Sequence, residues 1–133
     1  MTDDEQEPGG LARVLELEHE AVWTYGLIGG AFAALNDAAY ESFRDHRAER
    51  DRLLAELDDP PQPRAGYEPA TLADEQAARL RAQDVEARLA AAWATLLGET
   101  TGEERAAAID RLAELEAARV AWGGAPAAFP GLD

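Results

Sequence analysis

Between residues 11 and 35 the chain reads LARVLELEHEAVWTYGLIGGAFAAL, and Leu11, Val14, Leu15, Val22, Tyr25, Gly29 and Phe32 fall on one side at helical spacing. Glu18 sits in the middle of that apolar side, where a carboxylate is costly to bury. A second set, Trp23, Leu27, Gly30 and Ala34, covers the opposite side of the second half only, so this half is apolar almost all round. The spacing predicts a helix over 11–35. Asn36 and Asp37 punctuate the chain and suit the cap of a second helix over 38–57. Its inward stripe is Ala39, Phe43, His46, Arg50, Leu53 and Leu57. So short a connection makes the two helices an antiparallel hairpin.

The next thirteen residues, DDPPQPRAGYEPA, hold four prolines and a glycine and break any helix. Extended at ~3.1 Å per residue they cover roughly 40 Å. The first helix, at 1.5 Å per residue, is about 37 Å long, so the segment reaches from one end of the hairpin to the other. A third helix is predicted over 72–97, with Thr71 as its cap. Ala82, Glu86, Leu89, Ala90, Trp93 and Leu97 face inward, and Gly98 ends it. A fourth runs over 103–122, capped by Thr100 or Thr101, with Ile109, Leu112, Glu116 and Val120 inward and Gly123 and Gly124 as the stop. The expected fold is all-α: a ferritin-like four-helix bundle over 11–122, built from two antiparallel hairpins joined by a long proline-rich crossover at 58–70. Residues 1–10 are expected to be a disordered acidic tail. Residues 123–133 are expected to form an irregular tail anchored on the bundle by Phe129.

Length and charge narrow the partners more than the chemistry. The 133 residues fit one domain, and 27 acidic against 12 basic side chains leave a formal charge of -15. Nucleic acid and anionic membrane surfaces are repelled by such a chain. There is no cysteine, which excludes disulfides, thiolate metal sites and thiol catalysis. The segment MTDDEQEPGG lacks the basic and apolar regions of a signal peptide, and no apolar run reaches the ~18 residues of a membrane span. A cytoplasmic location is the expectation.

The candidate chemistry lies in polar residues on inward stripes. Counted from a hairpin centre near residue 35, Glu18 comes level with about residue 52, within a turn of Arg50, and Tyr25 faces His46. Counted from a centre near residue 100, Glu86 comes level with Glu116, with Arg119 one turn on. Three buried carboxylates must bind cations, share protons or pair with guanidinium groups. Di-iron and di-manganese bundles use one Glu from each of two helices and Glu-x-x-His from each of the other two. Here Arg50-x-x-Leu53 and Glu116-x-x-Arg119 stand in those places, so the expectation is a self-neutralising cluster of Glu18, Arg50, Glu86, Glu116 and Arg119. The bland alternative is that some of these make surface ion pairs worth ~0 to 1 kcal/mol. A metal ion held by Glu18, Glu86, Glu116 and His46 requires His46 to bridge roughly 10 Å along the axis. His46 is read instead as hydrogen-bonded to Tyr25, and His19 as a surface residue among Glu16, Glu18 and Glu20. No phosphate-binding loop, nucleophile elbow or zinc-protease helix occurs.

The stretch Glu18-His19-Glu20-Ala21-Val22-Trp23-Thr24-Tyr25-Gly26, the stretch His46-Arg47-Ala48-Glu49-Arg50-Asp51, the proline-rich linker ending in Tyr67, and Trp122 with Phe129-Pro130-Gly131 together resemble an actinobacterial ferritin-like domain family of unknown function. The resemblance implies the four-helix bundle and no particular activity. Two function classes follow, with a basic protein partner for the acidic surface as a third, lesser one. One is a non-catalytic binding or association module without cofactor, forming a homodimer through Trp23, Leu27, Gly30 and Ala34. The other is an iron or manganese carrier or oxidoreductase, or a binder of a small polar ligand, that uses the interior carboxylates.

Overall fold

The computed structural model describes residues 9–126. Four helices carry the fold: α1 Gly10–Ala31, α2 Asn36–Glu56, α3 Glu75–Leu97 and α4 Gly102–Ala121. Among the described residues there is no strand. Tyr25 reaches Glu86 and Glu20 reaches Arg88, so α1 and α3 run in opposite directions. Trp122 reaches Ser42 and Arg111 reaches Asp45, so α2 and α4 also run in opposite directions. The result is a four-helix bundle. Its core is a continuous cluster that includes Val14, Leu15, Ile28, Leu53, Leu89 and Leu115.

The helix ends explain the register. α1 stops at Ala31, because Phe32 is extended (φ −128, ψ 101) and a short 3-10 turn, Ala33–Leu35, follows it. Asn36 does not cap α2; its amide donates to the Gly29 carbonyl at 3.0 Å and satisfies a free acceptor at the end of α1. The helix expected over 11–35 is therefore one turn shorter, and the hairpin turns earlier. α3 starts at Glu75 rather than Leu72, since Asp74 rather than Thr71 supplies the cap and accepts from the Ala77 N–H at 2.8 Å. α4 ends where Gly123 adopts φ 111, which lets the Gly124 N–H return to the Arg119 carbonyl at 3.0 Å.

Two inward faces differ from the expectation. On α4 the buried positions are Ala108, Arg111, Leu112 and Leu115, whereas Ile109 is 49% exposed. The stripe is rotated by one residue because Leu115 and Trp122, two turns apart, seat the helix. On α1 the buried set includes His19, whose Nε2–H donates to the Pro61 carbonyl at 3.0 Å. It is not a surface residue. The linker that supplies Pro61 continues over α1, where Tyr67 meets Trp23 edge-on at 5.6 Å. Phe129 and the terminal residues 1–8 lie outside the described residues.

These faces predict unequal costs on neighbouring positions of α4. Leu115→Ala is expected to lower stability by about 2–5 kcal/mol and Ile109→Ala by no more than about 0.5 kcal/mol. Urea denaturation of both variants checks the rotation, and comparable losses would restore the stripe read from the sequence.

Candidate functional site

The ionised centre of the bundle is built around His46. Its position on α2 follows from the stripe Ala39, His46 and Leu53, which recurs every seven residues and is buried throughout. Nδ1 lies 2.6 Å from Glu18 Oε1 and Nε2 lies 2.8 Å from Glu86 Oε2. Glu18, Glu86 and His46 are all at most 1% exposed. The ring therefore bridges the carboxylates of α1 and α3 along its two edges. Burial alone would push the imidazole pKa down, but the hydrogen bonds and charges of Glu18 and Glu86 overcome it and raise the pKa from 6.5 to about 10. At neutral pH both ring nitrogens carry protons and both donate.

Two side chains complete the arrangement. Arg111 of α4 donates from Nη2 to the second oxygen of Glu18 at 3.1 Å, and from Nη1 to Glu114 at 3.0 Å and Asp45 at 3.2 Å. The same Nη2 stands 3.4 Å from His46 Nδ1, a contact of two donors that both point at Glu18. Tyr25 donates to Glu86 Oε2 at 2.5 Å, and its ring stacks on His46 at 5.5 Å and on Trp122 at 5.7 Å. Burial, with the neighbouring Glu86 charge, holds the phenol well above its ordinary pKa. Two carboxylates thus face one imidazolium and one guanidinium, so the centre is close to neutral.

Several expected members stand elsewhere. Arg50 is on the flank of α2 and pairs with Asp51 at 2.9 Å. Glu116 and Arg119 pair with each other at 2.8 Å on the flank of α4 and do not join Glu18 and Glu86. His46 takes the place expected for Arg50, and Arg111 brings in the guanidinium expected from Arg119. His46 meets both Glu18 and Tyr25, two turns apart on α1, so its ring stands between their heights, and Arg50 is turned to the flank. Tyr25 and His46 do meet, by stacking; the hydrogen bond expected between them goes to Glu86. Glu18 and Glu86 sit in the centre as the inward stripes placed them.

Arg111 had a signal in the sequence: it interrupts an otherwise apolar run of positions 108, 112 and 115, as Glu18 does on α1. A second missed group is Arg81, 8% exposed, which joins Arg88 on Glu20. Although burial raises the Glu20 pKa, the hydrogen bond and charge of Arg88 and the charge of Arg81 hold it below the usual carboxylate range. This pairing ties α1 to α3 beneath the linker.

The donor set does not fit a metal. Glu18 and Glu86 lie on opposite edges of the imidazole, and both ring nitrogens are occupied by them, so the three groups do not converge on one point. Among the described residues no group of three or more such side chains is arranged to hold an ion. Nor is His46 placed to act as a general base, since its protons are held on both sides and it is 1% exposed. Of the apolar set expected on one face of the first helix, Trp23 and Leu27 are half-buried and Gly30 is exposed, while Ala34, also exposed, lies in the 3-10 turn beyond α1. No helix among the described residues is long and apolar enough to cross a membrane.

Comparison with known proteins adds a family and a fold. A family model described as Domain of unknown function (DUF4439) matches residues 10–133, and the chain belongs to that family. A crystal structure of a conserved hypothetical protein from Mycobacterium tuberculosis is similar, at 23% identity and a TM-score of 0.77 over 87% of this chain and 97% of that one. No curated protein matches.

The ion pairs set a direction for stability against pH. The folded pKa of His46, about 10, lies above its ordinary 6.5. Its contribution is therefore complete below pH 6.5 and disappears as the pH rises toward 10. Chemical denaturation between pH 6 and 10 should show falling stability, and His46→Gln should flatten that slope. Arg111→Met, which strips Glu18 of its guanidinium, is expected to cost about 3–5 kcal/mol, against no more than about 1 kcal/mol for Arg50→Met. The reverse order of the two arginines would reinstate the cluster expected from the sequence.

Proposed function

We propose that this member of the DUF4439 family is a non-catalytic ferritin-like bundle, acting as a binding or association module. In this reading residues 57–74 are the long crossover between two hairpins, and Glu18, His46, Glu86 and Arg111 occupy the place of a di-metal centre. One observation carries it: both nitrogens of a buried His46 are taken by carboxylates, so cations of the chain itself neutralise the interior. A centre closed in this way leaves binding to the outer faces. Association of two copies through the end of α1 and the turn after it is part of the proposal, because Gly30 and Ala34 are exposed and small. A side chain added at Gly30 would meet nothing within 4 Å.

The alternative is an iron or manganese protein. Glu86 Oε1 favours it, being a buried carboxylate oxygen without a partner, and such an atom is costly unless something meets it. Elemental analysis of the purified protein after anaerobic incubation with ferrous or manganous ions separates the two. No stoichiometric retention and no metal-dependent rise in melting temperature are expected. Retention that is lost in Glu86→Ala would replace the closed-centre reading, since a ligand that binds only the folded state must stabilise it.

Sedimentation tests association separately. Wild type is expected to be a dimer and Gly30→Glu a monomer of unchanged melting temperature. Identical sedimentation of the two as monomers would remove the α1 contact from the proposal.

A further inference from the structure

The outer side of α2 carries a charge pattern that nothing within the chain answers. Asp37, Tyr40, Glu41, Arg44 and Arg47 fall within an arc of about 120° at helical spacing, and all five are exposed. The arc lies opposite Ala39, His46 and Leu53, which face the core. Its two acidic members come first along the helix and its two basic members second. None of the four charges has an ion pair among the described residues.

Charges on the other helix surfaces pair locally. Arg52, farther along α2, takes Glu49 and Glu56, and Arg13, Arg88 and Arg119 each take a carboxylate three or four residues away. Arg44 has Glu41 three residues before it and leaves it, because its guanidinium lies over the Tyr40 ring at 5.9 Å. Arg47 lies over Phe43 in the same way, at 5.3 Å. Two carboxylates and two guanidiniums are thus presented outward. Between them stands Tyr40, at 57% the most exposed large apolar side chain among the described residues.

This pattern is complementary to itself. Asp37 and Arg47 stand five residues before and after Ser42, about 7.5 Å along the axis each way, and Glu41 and Arg44 lie close to the same level on either side. A two-fold axis crossing α2 at that level turns the helix end over end. Asp37 of one copy then meets Arg47 of the other, and Glu41 meets Arg44, each pair occurring twice. A parallel copy sets like charge on like, and one slid by a turn keeps no more than one of the two pairings.

We propose that the outer face of α2 from Asp37 to Arg47 joins two copies of this chain, antiparallel about a two-fold axis at the level of Ser42. Beside the stripe a groove of about 230 Å³, lined by Gly26, Gly29 and Gly30 of α1 with Tyr40 and Phe43 of α2, carries the contact on to α1. A side chain added at Gly26 or Gly30 would meet nothing within 4 Å, so the backbone there is open to close approach. Copies that each carry a charge of -15 repel at a distance, so a stable contact must bring opposite charges of its own together. Arg44 and Arg47 supply them. This contact rests on the reading of the chain as an association module, and it names the surface that recognises the second copy.

Exchanging the charges tests it. Sedimentation equilibrium is expected to give a dimer for wild type. Arg44→Glu/Arg47→Glu and, separately, Asp37→Arg/Glu41→Arg should each raise the dissociation constant at least about tenfold, because every facing pair then carries like charge. The second variant lowers the net charge of each copy, so general repulsion alone would tighten its dimer instead. Mixed one to one, the two variants should form a heterodimer as tight as the wild-type dimer, a rescue that misfolded chains would not give. The milder Arg44→Gln/Arg47→Gln should weaken the dimer several-fold with unchanged helix content by circular dichroism.

A dimer that neither reversal loosens, or loosened dimers that mixing does not restore, would overturn the proposal. If Gly30→Glu separates the copies while the reversals do nothing, association through the end of α1 stands without the α2 contact. The opposite pair of results keeps α2 and removes the end of α1. A monomeric wild type would overturn the α2 contact, the stripe then being a solvated face or the seat of a different protein. Metal retention bears on the closed centre alone and leaves the α2 contact untouched.

Discussion

A carboxylate on the buried side of α1 is the constraint from which the arrangement of the bundle follows. Glu18 is wholly shielded from water, as is Glu86 on α3, and two such charges close together repel unless cations lie among them. The imidazolium of His46 does this by standing between them and donating to both. Arg111 then takes the other oxygen of Glu18. One ionised group from each helix is thereby used, and each can be satisfied only if its helix sits at one height and one rotation. Apolar contacts between Leu, Val and Ala faces tolerate sliding by a turn more readily than this set of directed bonds does. The centre accordingly acts as a registration device for the four helices, the role for which buried ionic groups are best attested.

The same centre shows what periodicity can and cannot convey. Glu18 and Glu86 were legible, because a carboxylate in the middle of an apolar stripe has nowhere else to go. So were the number of helices and the pairing of α1 with α2 and of α3 with α4. The partners were not legible. His46 and Arg50 occupy the same stripe of α2, one turn apart, and periodicity does not say which of them meets Glu18. The turn between the helices depends on Phe32, an apolar residue at helical spacing that leaves the helix, followed by Asn36 turning back to cap Gly29. On α4, Ile109 outweighed Ala108 by size and drew the stripe one position away, which hid Arg111. His19 was out of reach for another reason: its acceptor is a linker carbonyl, 42 residues away in sequence, and no local pattern announces it.

Arg111 links the interior to the outside. Its guanidinium serves Glu18 within the bundle and Asp45 and Glu114 at the surface, so it spans the seam between α2 and α4 in place of close helix packing. A planar group with five donors suits this work better than an ammonium would. With Trp122, which reaches Ser42, it concentrates the cohesion of that seam in two side chains, and a cleft opens along the seam. On the far side of the molecule the corresponding work is shared: Arg81 and Arg88 hold Glu20, while the linker lays Pro61 on His19 and Tyr67 on Trp23. The covered side has several redundant contacts and the open side has few.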